Sequence, residues 1–181
     1  AREVRRLGSL VLRDEPLRNA PADTVLAAMI YGIRSLGLGC LPWTRELAQW
    51  RSRVAVVRGH DVRGSAEWPD VSDAALLGTL ESWLGPWLDG ITRRDQLGRV
   101  DLAGALRGLL DWNTQRRLDE LAPTHLTVPS GSRIALDYEG GEPKLSVRLQ
   151  EVFGLMDSPR VVDGRVPVTL ELLSPARRPV Q

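Results

Sequence analysis

The stretch Leu118–Tyr138, LDELAPTHLTVPSGSRIALDY, decides the fold of this chain. Its first four residues are the end of a helix, which Pro123 terminates because proline cannot continue one. A short apolar run over 126–128 follows, and PSG at 129–131 predicts a turn. Apolar residues then alternate with polar ones up to Tyr138. The apolar period therefore changes from 3.6 to 2, which predicts a helix that leads into a β-hairpin.

Upstream of this stretch, apolar residues recur at helical spacing. Thr44 is a predicted N-cap, and Pro86 interrupts the helical pattern before a short turn of helix at Trp87-Leu88. The helices are predicted over 21–36, 44–58, 72–83, 102–109 and 112–121. The basic-apolar run from Val4 to Leu12 predicts one N-terminal strand, with no partner strand nearby.

Downstream of the stretch, apolar residues continue to recur at about every second position, as they do in a β-strand. Gly140-Gly141 and Asp163-Gly164 predict hairpin turns, since these residues accept a positive φ. Residues 150–155 predict a single helical turn between strands. Strands are predicted over 126–128, 133–138, 145–149, 160–162 and 166–173. We therefore predict an α+β fold with an N-terminal strand, a central helical block and a small antiparallel C-terminal sheet. The polar stretch 59–70, GHDVRGSAEWPD, is the predicted linker.

Composition is ordinary for a soluble globular protein, with 43% hydrophobic and 26% charged residues in 181. The net charge is +1, but residues 1–60 carry ten Arg against five acids. This basic third could follow a phosphate backbone or form an exposed arginine face. Cys40 is the single cysteine, so an intramolecular disulfide is excluded and a cytoplasmic setting fits. No apolar run reaches the roughly 18 residues of a membrane span.

Motifs for catalysis are absent from the sequence. Lys144 is the single lysine and Leu145 follows it, which excludes a Walker A motif, where Lys precedes Ser or Thr. His60 and His125 are the two histidines, and neither has clustered metal-ligand partners. Nothing in the sequence assembles a nucleophile, a base and an oxyanion site. We predict no catalytic, cofactor or metal site in this chain.

The strongest candidate binding site is the turn from Ser130 to Ser132 with Arg133. Its backbone N–H groups could hold a phosphate, and the guanidinium of Arg133 could bind it too. Arg148, on the next predicted strand, could face the same side. The alternative is a tight turn whose hydroxyls satisfy their own backbone.

Six tryptophans are a second candidate feature. They could be stacking platforms for bases, or they could pack between helices. Trp50, Trp83 and Trp87 fall on apolar helical faces, which favours packing. Trp68 lies in the polar linker beside Pro69 and is the candidate for a functional tryptophan.

Several long blocks resemble the C-terminal region of HrpB-type ATP-dependent helicases, a bacterial branch of the DEAH/DExH-box superfamily 2. They are Leu41–Arg58, Glu67–Ile91, THLTVPSGSRIALDY at 124–138, VRLQEVFGL at 147–155 and GRVPVTLELLSPARRPVQ at 164–181. The resemblance implies the end of an oligonucleotide-binding-like domain plus connecting helices over 1–58, the linker over 59–70, and the family's C-terminal domain over 71–181. It also implies that the chain is truncated at both ends.

Members of this family carry two RecA-like domains upstream, which bind ATP and Mg²⁺. The resemblance thus implies a non-catalytic accessory region that positions single-stranded RNA or DNA near such a motor. The alternative is a protein-docking module of the helicase that makes no nucleic-acid contact. An independent small enzyme is the third class, and the missing motifs disfavour it.

Overall fold

The computed structural model of the chain describes residues 2–16, 21–61 and 68–173. The α-helices are α1 Ala22–Leu36, α2 Arg45–His60, α3 Asp73–Gly78, α4 Leu80–Trp83, α5 Leu102–Arg107 and α6 Trp112–Leu121. The strands are β1 Arg2–Leu7, β2 Leu10–Pro16, β3 His125–Thr127, β4 Arg133–Asp137, β5 Lys144–Arg148, β6 Arg160–Val161, β7 Val166–Pro167 and β8 Thr169–Leu173. Short 3₁₀ segments lie at Leu38–Cys40, Gly85–Leu88, Arg94–Arg99 and Leu149–Glu151. The predicted α+β class is confirmed.

The N-terminal strand is a hairpin, so the prediction of one unpaired strand was wrong. β1 and β2 pair in antiparallel register from Arg2 opposite Pro16 to Leu7 opposite Leu10. Gly8 takes a φ of 62° in the turn between them. A two-residue turn with glycine at positive φ suits the twist of a hairpin, and here it divides the run that the apolar pattern suggested was continuous.

The C-terminal sheet is mixed, whereas a wholly antiparallel sheet was predicted. Its strand order is β3-β4-β5-β8. The β3–β4 and β4–β5 pairs are the predicted antiparallel hairpins, but β8 lies parallel to β5. β6 and β7 form a separate two-stranded ribbon. A parallel partner needs a long crossover, and here the residues between β5 and β8 provide it.

Contacts divide the chain into two units. Unit 1 comprises Ala1–Trp43 and Asp73–Leu106, and unit 2 comprises Thr44–Ser72 and Arg107–Gln181. Each unit thus takes two separate stretches of sequence, whereas the predicted division runs in series along the chain. The predicted domain limits at 1–58, 59–70 and 71–181 stay a prediction.

In unit 1, α1 lies against α3 and α4. The guanidinium of Arg34 donates to the carbonyl of Leu77 at 3.0 Å and pairs with Glu81 at 2.6 Å. Leu80 and Trp83 point inward as predicted, and both are buried. The predicted single helix over 72–83 is interrupted between α3 and α4, where Thr79 takes a φ of −114°.

In unit 2, α2 begins at the predicted N-cap, because the Thr44 hydroxyl accepts from the N–H of Leu47 at 3.2 Å. The helix continues to His60 rather than ending before Gly59, so the first residues of the predicted linker are helical. Asp61 follows and is buried. Residues 62–67 of that linker lie outside the described residues.

A buried carboxylate joins several elements of unit 2. Asp61 accepts from the indole N–H of Trp68 at 3.0 Å and from Arg117 of α6 at 2.8 Å. Arg165, in the β6–β7 turn, lies 3.7 Å from its other oxygen. A buried charge is tolerated only when it is paired in this way. Trp68 is 1% exposed and packs in the core, so its predicted functional role was wrong.

Candidate nucleic-acid interface

The Ser130–Ser132 turn forms between β3 and β4, where it was predicted. The N–H of Gly131 donates to the carbonyl of Val128 at 2.8 Å, and the N–H of Ser132 donates to the Ser130 hydroxyl at 3.3 Å. The Ser130 hydroxyl in turn lies 3.1 Å from that of Ser132. These hydrogen bonds are those of a tight turn whose hydroxyls satisfy their own backbone, which was the alternative to phosphate binding. The turn's amides are therefore occupied, and its contribution to binding has to come from side chains.

Arg133 and Arg148 share one face of the sheet. β4 pairs with β5 through Leu136 opposite Leu145 and Asp137 opposite Lys144. Alternation along each strand from the Asp137–Lys144 pair puts Arg133 and Arg148 on the same side. Among the described residues, neither guanidinium has an ion-pair partner, and Arg133 is exposed. Two guanidinium groups without an ion-pair partner among the described residues thus lie on neighbouring strands, as the sequence suggested they could.

A cavity of about 660 Å³ opens in unit 2 beside this face. Its volume is in the range of small-ligand sites. Three arginines and two acidic residues give the lining a small net positive charge. The lining residues are Glu46, Leu47, Gln49, Trp50, Arg53, Arg107, Gln115, Leu118, Asp119, Pro123, Thr124, His125 and Arg133.

Two of the three cavity arginines are already paired. Buried Arg53 donates to the carbonyl of Ala122 at 2.6 Å and pairs with Asp119, which fixes the C-terminal end of α6 to α2. Arg107 lies 3.3 Å from Glu46. The third lining arginine, Arg133, has no ion-pair partner among the described residues.

Hydrogen bonds from α2 hold the end of β4 in place. Gln49 donates to Asp137 at 2.6 Å and accepts from the N–H of Tyr138 at 2.9 Å. The N–H of Glu139 lowers the pKa of Asp137 most, and Gln49 and Arg45 add to that effect. Burial raises the pKa of Tyr138, whose hydroxyl donates to the carbonyl of Pro123 at 2.7 Å. The sheet is thereby fixed to the helices that line the cavity.

Sequence reasoning missed the most exposed tryptophan. Trp112, the first residue of α6, is 74% exposed. Seven residues later, Asp119 projects from nearly the same side of α6 and lines the cavity. Trp50 is half-buried in the cavity wall, and its indole N–H has no hydrogen-bond partner among the described residues. The exposure of Trp112 could have been predicted from the helical period of 112–121, because Trp112 lies outside the helix face that carries Leu118 and Leu121.

Neither a metal centre nor a membrane helix is found in the part of the chain that the structure describes. No three His, Cys, Asp or Glu side chains there come together as metal ligands. None of its helices is long and apolar enough to cross a bilayer. His125 is exposed, and its Nδ1 lies 3.0 Å from the Thr124 hydroxyl.

Residues 83–181 match the family model described as ATP-dependent helicase C-terminal, HrpB_C. The chain belongs to this family. It is 46% identical over 176 residues to the ATP-dependent RNA helicase HrpB of Escherichia coli (strain K12), a match of 97% of this chain and 22% of that relative. The resemblance deduced from the sequence blocks is therefore confirmed.

Two solved structures are similar to this HrpB_C chain. One is a crystal structure of the E. coli DExH-box NTPase HrpB, with a TM-score of 0.81 and 46% identity over 96% of this chain and 21% of that one. The other is a crystal structure of the Escherichia coli DEAH/RHA helicase HrpB, with a TM-score of 0.78 and 44% identity over 98% of this chain and 23% of that one. The chain thus spans about a fifth of the length of these relatives.

The candidate interface extends beyond the part of the chain that matches the family model. Arg133, Arg148 and Trp112 lie within residues 83–181. Trp50 and Arg53 lie on α2, before the matched part begins. The cavity of this HrpB_C chain therefore depends on both stretches of unit 2.

Proposed function

We propose that this chain is a non-catalytic accessory region of an ATP-dependent helicase and positions single-stranded nucleic acid near the motor. Its relatives are named as an ATP-dependent RNA helicase and as a DExH-box NTPase. The observation that carries the proposal is that Arg133 and Arg148 lie on one face of the sheet and neither has an ion-pair partner among the described residues. Guanidinium groups bind phosphate bidentately, and they remain charged at every physiological pH.

The electrostatics of the site favour a modest, backbone-directed contact. Most other charges near the site are neutralised, as the Arg53–Asp119, Arg107–Glu46 and Lys144–Glu171 pairs illustrate. A single-stranded chain that crosses Arg133 and Arg148 would exchange about two condensed counterions for these two side chains. Binding by this face should therefore be weak and sensitive to salt, which fits an accessory contact better than a primary one.

The test is the salt dependence of binding by single-stranded RNA and DNA oligonucleotides of matched sequence. Removing one phosphate contact should reduce the slope of log affinity against log salt by about 0.7 for a single strand. We expect that change in Arg133→Ala, and a similar or smaller one in Arg148→Ala. Arg99→Ala is the matched control, because Arg99 is exposed, has no partner among the described residues and lies in unit 1.

Equal slopes for the wild type and Arg133→Ala would show that this arginine does not contact phosphate. If Arg99→Ala changed the slope as much as Arg133→Ala does, binding would be diffuse and the proposed site wrong. Comparing the affinities for RNA and for DNA shows which of the two single strands the chain prefers.

A protein-docking module is the second candidate function. Large apolar side chains are exposed in and near the segment that follows β5: Leu149, Phe153, Met156 and Leu172. Exposed apolar clusters mark interaction sites more often than single exposed residues do. Binding to a partner through these side chains would depend little on salt, so the same salt series separates the two functions.

The complete helicase, as proposed, binds ATP and Mg²⁺ through RecA-like domains and works in the cytoplasm. This chain would supply no ligand to the nucleotide, since Lys144 does not stand in a phosphate-binding loop. Its partners would be those upstream domains and the single strand they move.

A further inference from the structure

We infer that the cavity beside Arg133 accepts unpaired bases and that Trp112 is their stacking platform. This inference rests on the proposed function and adds to it the base-contacting side of the same site. It does not follow from Arg133 and Arg148, since a guanidinium can bind the phosphates of any nucleic acid. It follows from where the two available indole rings lie.

The cavity has a charged side and an aromatic side. Arg133 enters the lining from the sheet, with its guanidinium unpaired. Trp50 contributes a half-buried indole to the lining from α2. Nucleotides have the same two-sided chemistry, because a phosphate and a flat base are held a few ångströms apart.

Trp112 is not itself a lining residue, but it begins α6, the helix that supplies Gln115 and Asp119 to the lining. It precedes Gln115 by about one turn of α6, and Gln115 is held in place by donating to the carbonyls of Arg107 and Leu110 at 3.0 and 3.1 Å. Arg107 and Gln115 both line the cavity, so the first turn of α6 forms one of its rims. At 74% exposure, the Trp112 ring leaves a wide aromatic surface open to solvent, about one helical turn before Gln115.

Packing does not explain why a tryptophan stands at this position. An indole that is mostly exposed contributes little apolar burial, and its N–H has no partner among the described residues. The N-terminal end of α6 is already fixed by Asp111, whose carboxylate accepts from the N–H of Thr114 at 2.7 Å. The ring is thus dispensable for the fold and free to stack on a base.

The site suits single strands rather than duplexes. Stacking on a tryptophan requires a base that is not already stacked and paired within a helix. Because Arg53 and Arg107 are each paired with an acid, Arg133 alone supplies the positive excess of the lining, which is too little for the two backbones of a duplex. Bases of any sequence fit such a platform, since every base has a π face.

The experiment compares four short fluorescent oligonucleotides: single-stranded RNA and DNA, each in a normal and an abasic form. The abasic form keeps every phosphate and removes the bases. We expect the wild-type chain to bind the normal strands about 5- to 20-fold more tightly than the abasic ones, in line with stacking on one base. Trp112→Ala should bind normal strands only as well as abasic ones, with an unchanged salt slope.

Two control variants make the result specific. Trp112→Phe keeps an aromatic face and should retain most of the preference for normal strands. Tyr31→Ala removes an aromatic ring that is 75% exposed on α1 of unit 1, and it should change nothing. Circular dichroism of Trp112→Ala should match that of the wild type, because the ring is mostly exposed.

Equal binding of normal and abasic strands by the wild type would overturn the base platform. The proposed function would survive that result if Arg133→Ala still lowered the salt slope. If no oligonucleotide bound at all, the proposed function would fail together with this inference, and a protein partner would be the remaining candidate. A preference for bases that persists in Trp112→Ala would also overturn the assignment.

Discussion

Arginine has three different roles in unit 2, although the sequence gives no local sign of the difference. Arg53 is buried and donates to backbone carbonyls at the end of α6. Arg117 neutralises the buried Asp61. Arg133 has no partner among the described residues and is exposed. Because a guanidinium stays charged wherever it lies, its partners decide whether it stabilises the fold or remains available to a ligand.

Arg53→Ala should destabilise the chain by about 2 kcal/mol, because a buried side chain and its hydrogen bonds are lost while Asp119, whose side chain is 73% exposed, remains solvated. The carbonyl of Ala122 loses its donor, and the side chain leaves a space between α2 and α6. Urea unfolding followed by circular dichroism measures the loss.

Arg116→Ala is the control for Arg53→Ala. Arg116 forms an exposed pair with Glu120 on the same helix, and the change should cost about 0.5 kcal/mol or less. Equal effects of the two substitutions would show that burial of Arg53 does not strengthen its contacts.

The tryptophans show how far single positions can be predicted from a sequence. Trp68 stands among polar residues, yet it is buried, because Asp61 lies seven residues before it and accepts from its N–H. Trp112 stands in a helix, yet it is exposed, because its side of α6 is not the packed one. In the first case, the polar neighbours of Trp68 along the chain do not indicate its burial. The helical period, applied to each position, would have found the second.

Among the elements, the positions of turns were predicted better than the pairing of distant strands. Asp163 and Gly164 take φ values of 52° and 76° in the β6–β7 turn, as the Asp-Gly pair suggested. The PSG turn and the Gly-Gly turn also join the strands that were predicted around them. The parallel pairing of β8 with β5 was not predicted, because no local pattern records which distant strand a segment will pair with.

The link between α2 and β4 should depend on pH. Asp137 has a lowered pKa in the folded chain, chiefly because the N–H of Glu139 donates to it at 2.9 Å. A lowered folded pKa gives stability that is present above the unfolded value, near 3.9, and lost as pH falls through the folded value. Asp137→Asn should therefore cost about 1 kcal/mol at pH 7, a figure kept low because the side chain is 40% exposed.

The measurement for Asp137 is the free energy of unfolding in urea between pH 2.5 and 7. The difference between wild type and Asp137→Asn should shrink as the carboxylate is protonated. Asp157→Asn is the control, since Asp157 is exposed and has no partner among the described residues. A difference that stays constant across the range would mean that the charge of Asp137 does not hold β4 to α2.

At the scale of the whole chain, the two units could not have been predicted from composition. Polar stretches and glycines suggest boundaries in series, such as the predicted linker at 59–70. The contacts instead group Thr44–Ser72 with the residues from Arg107 onward. That grouping depends on side chains such as Arg53 and Gln49, whose partners lie 65 to 89 residues away. Long-range contacts of this kind leave no signal in the local sequence.

The whole chain should neither bind nor hydrolyse ATP, even though its relatives are named as an ATP-dependent helicase and an NTPase. A phosphate-binding loop needs Lys followed by Ser or Thr, and Lys144-Leu145 does not supply that pair. A ligand that binds the native state at 100 times its Kd stabilises it by about 2.7 kcal/mol, which thermal unfolding detects. Millimolar ATP with Mg²⁺ should therefore leave the Tm unchanged, and phosphate release should stay at the level of buffer. If the Tm rises with ATP, or if phosphate release follows the protein through gel filtration, a nucleotide site exists in this chain and its role as an accessory region is wrong.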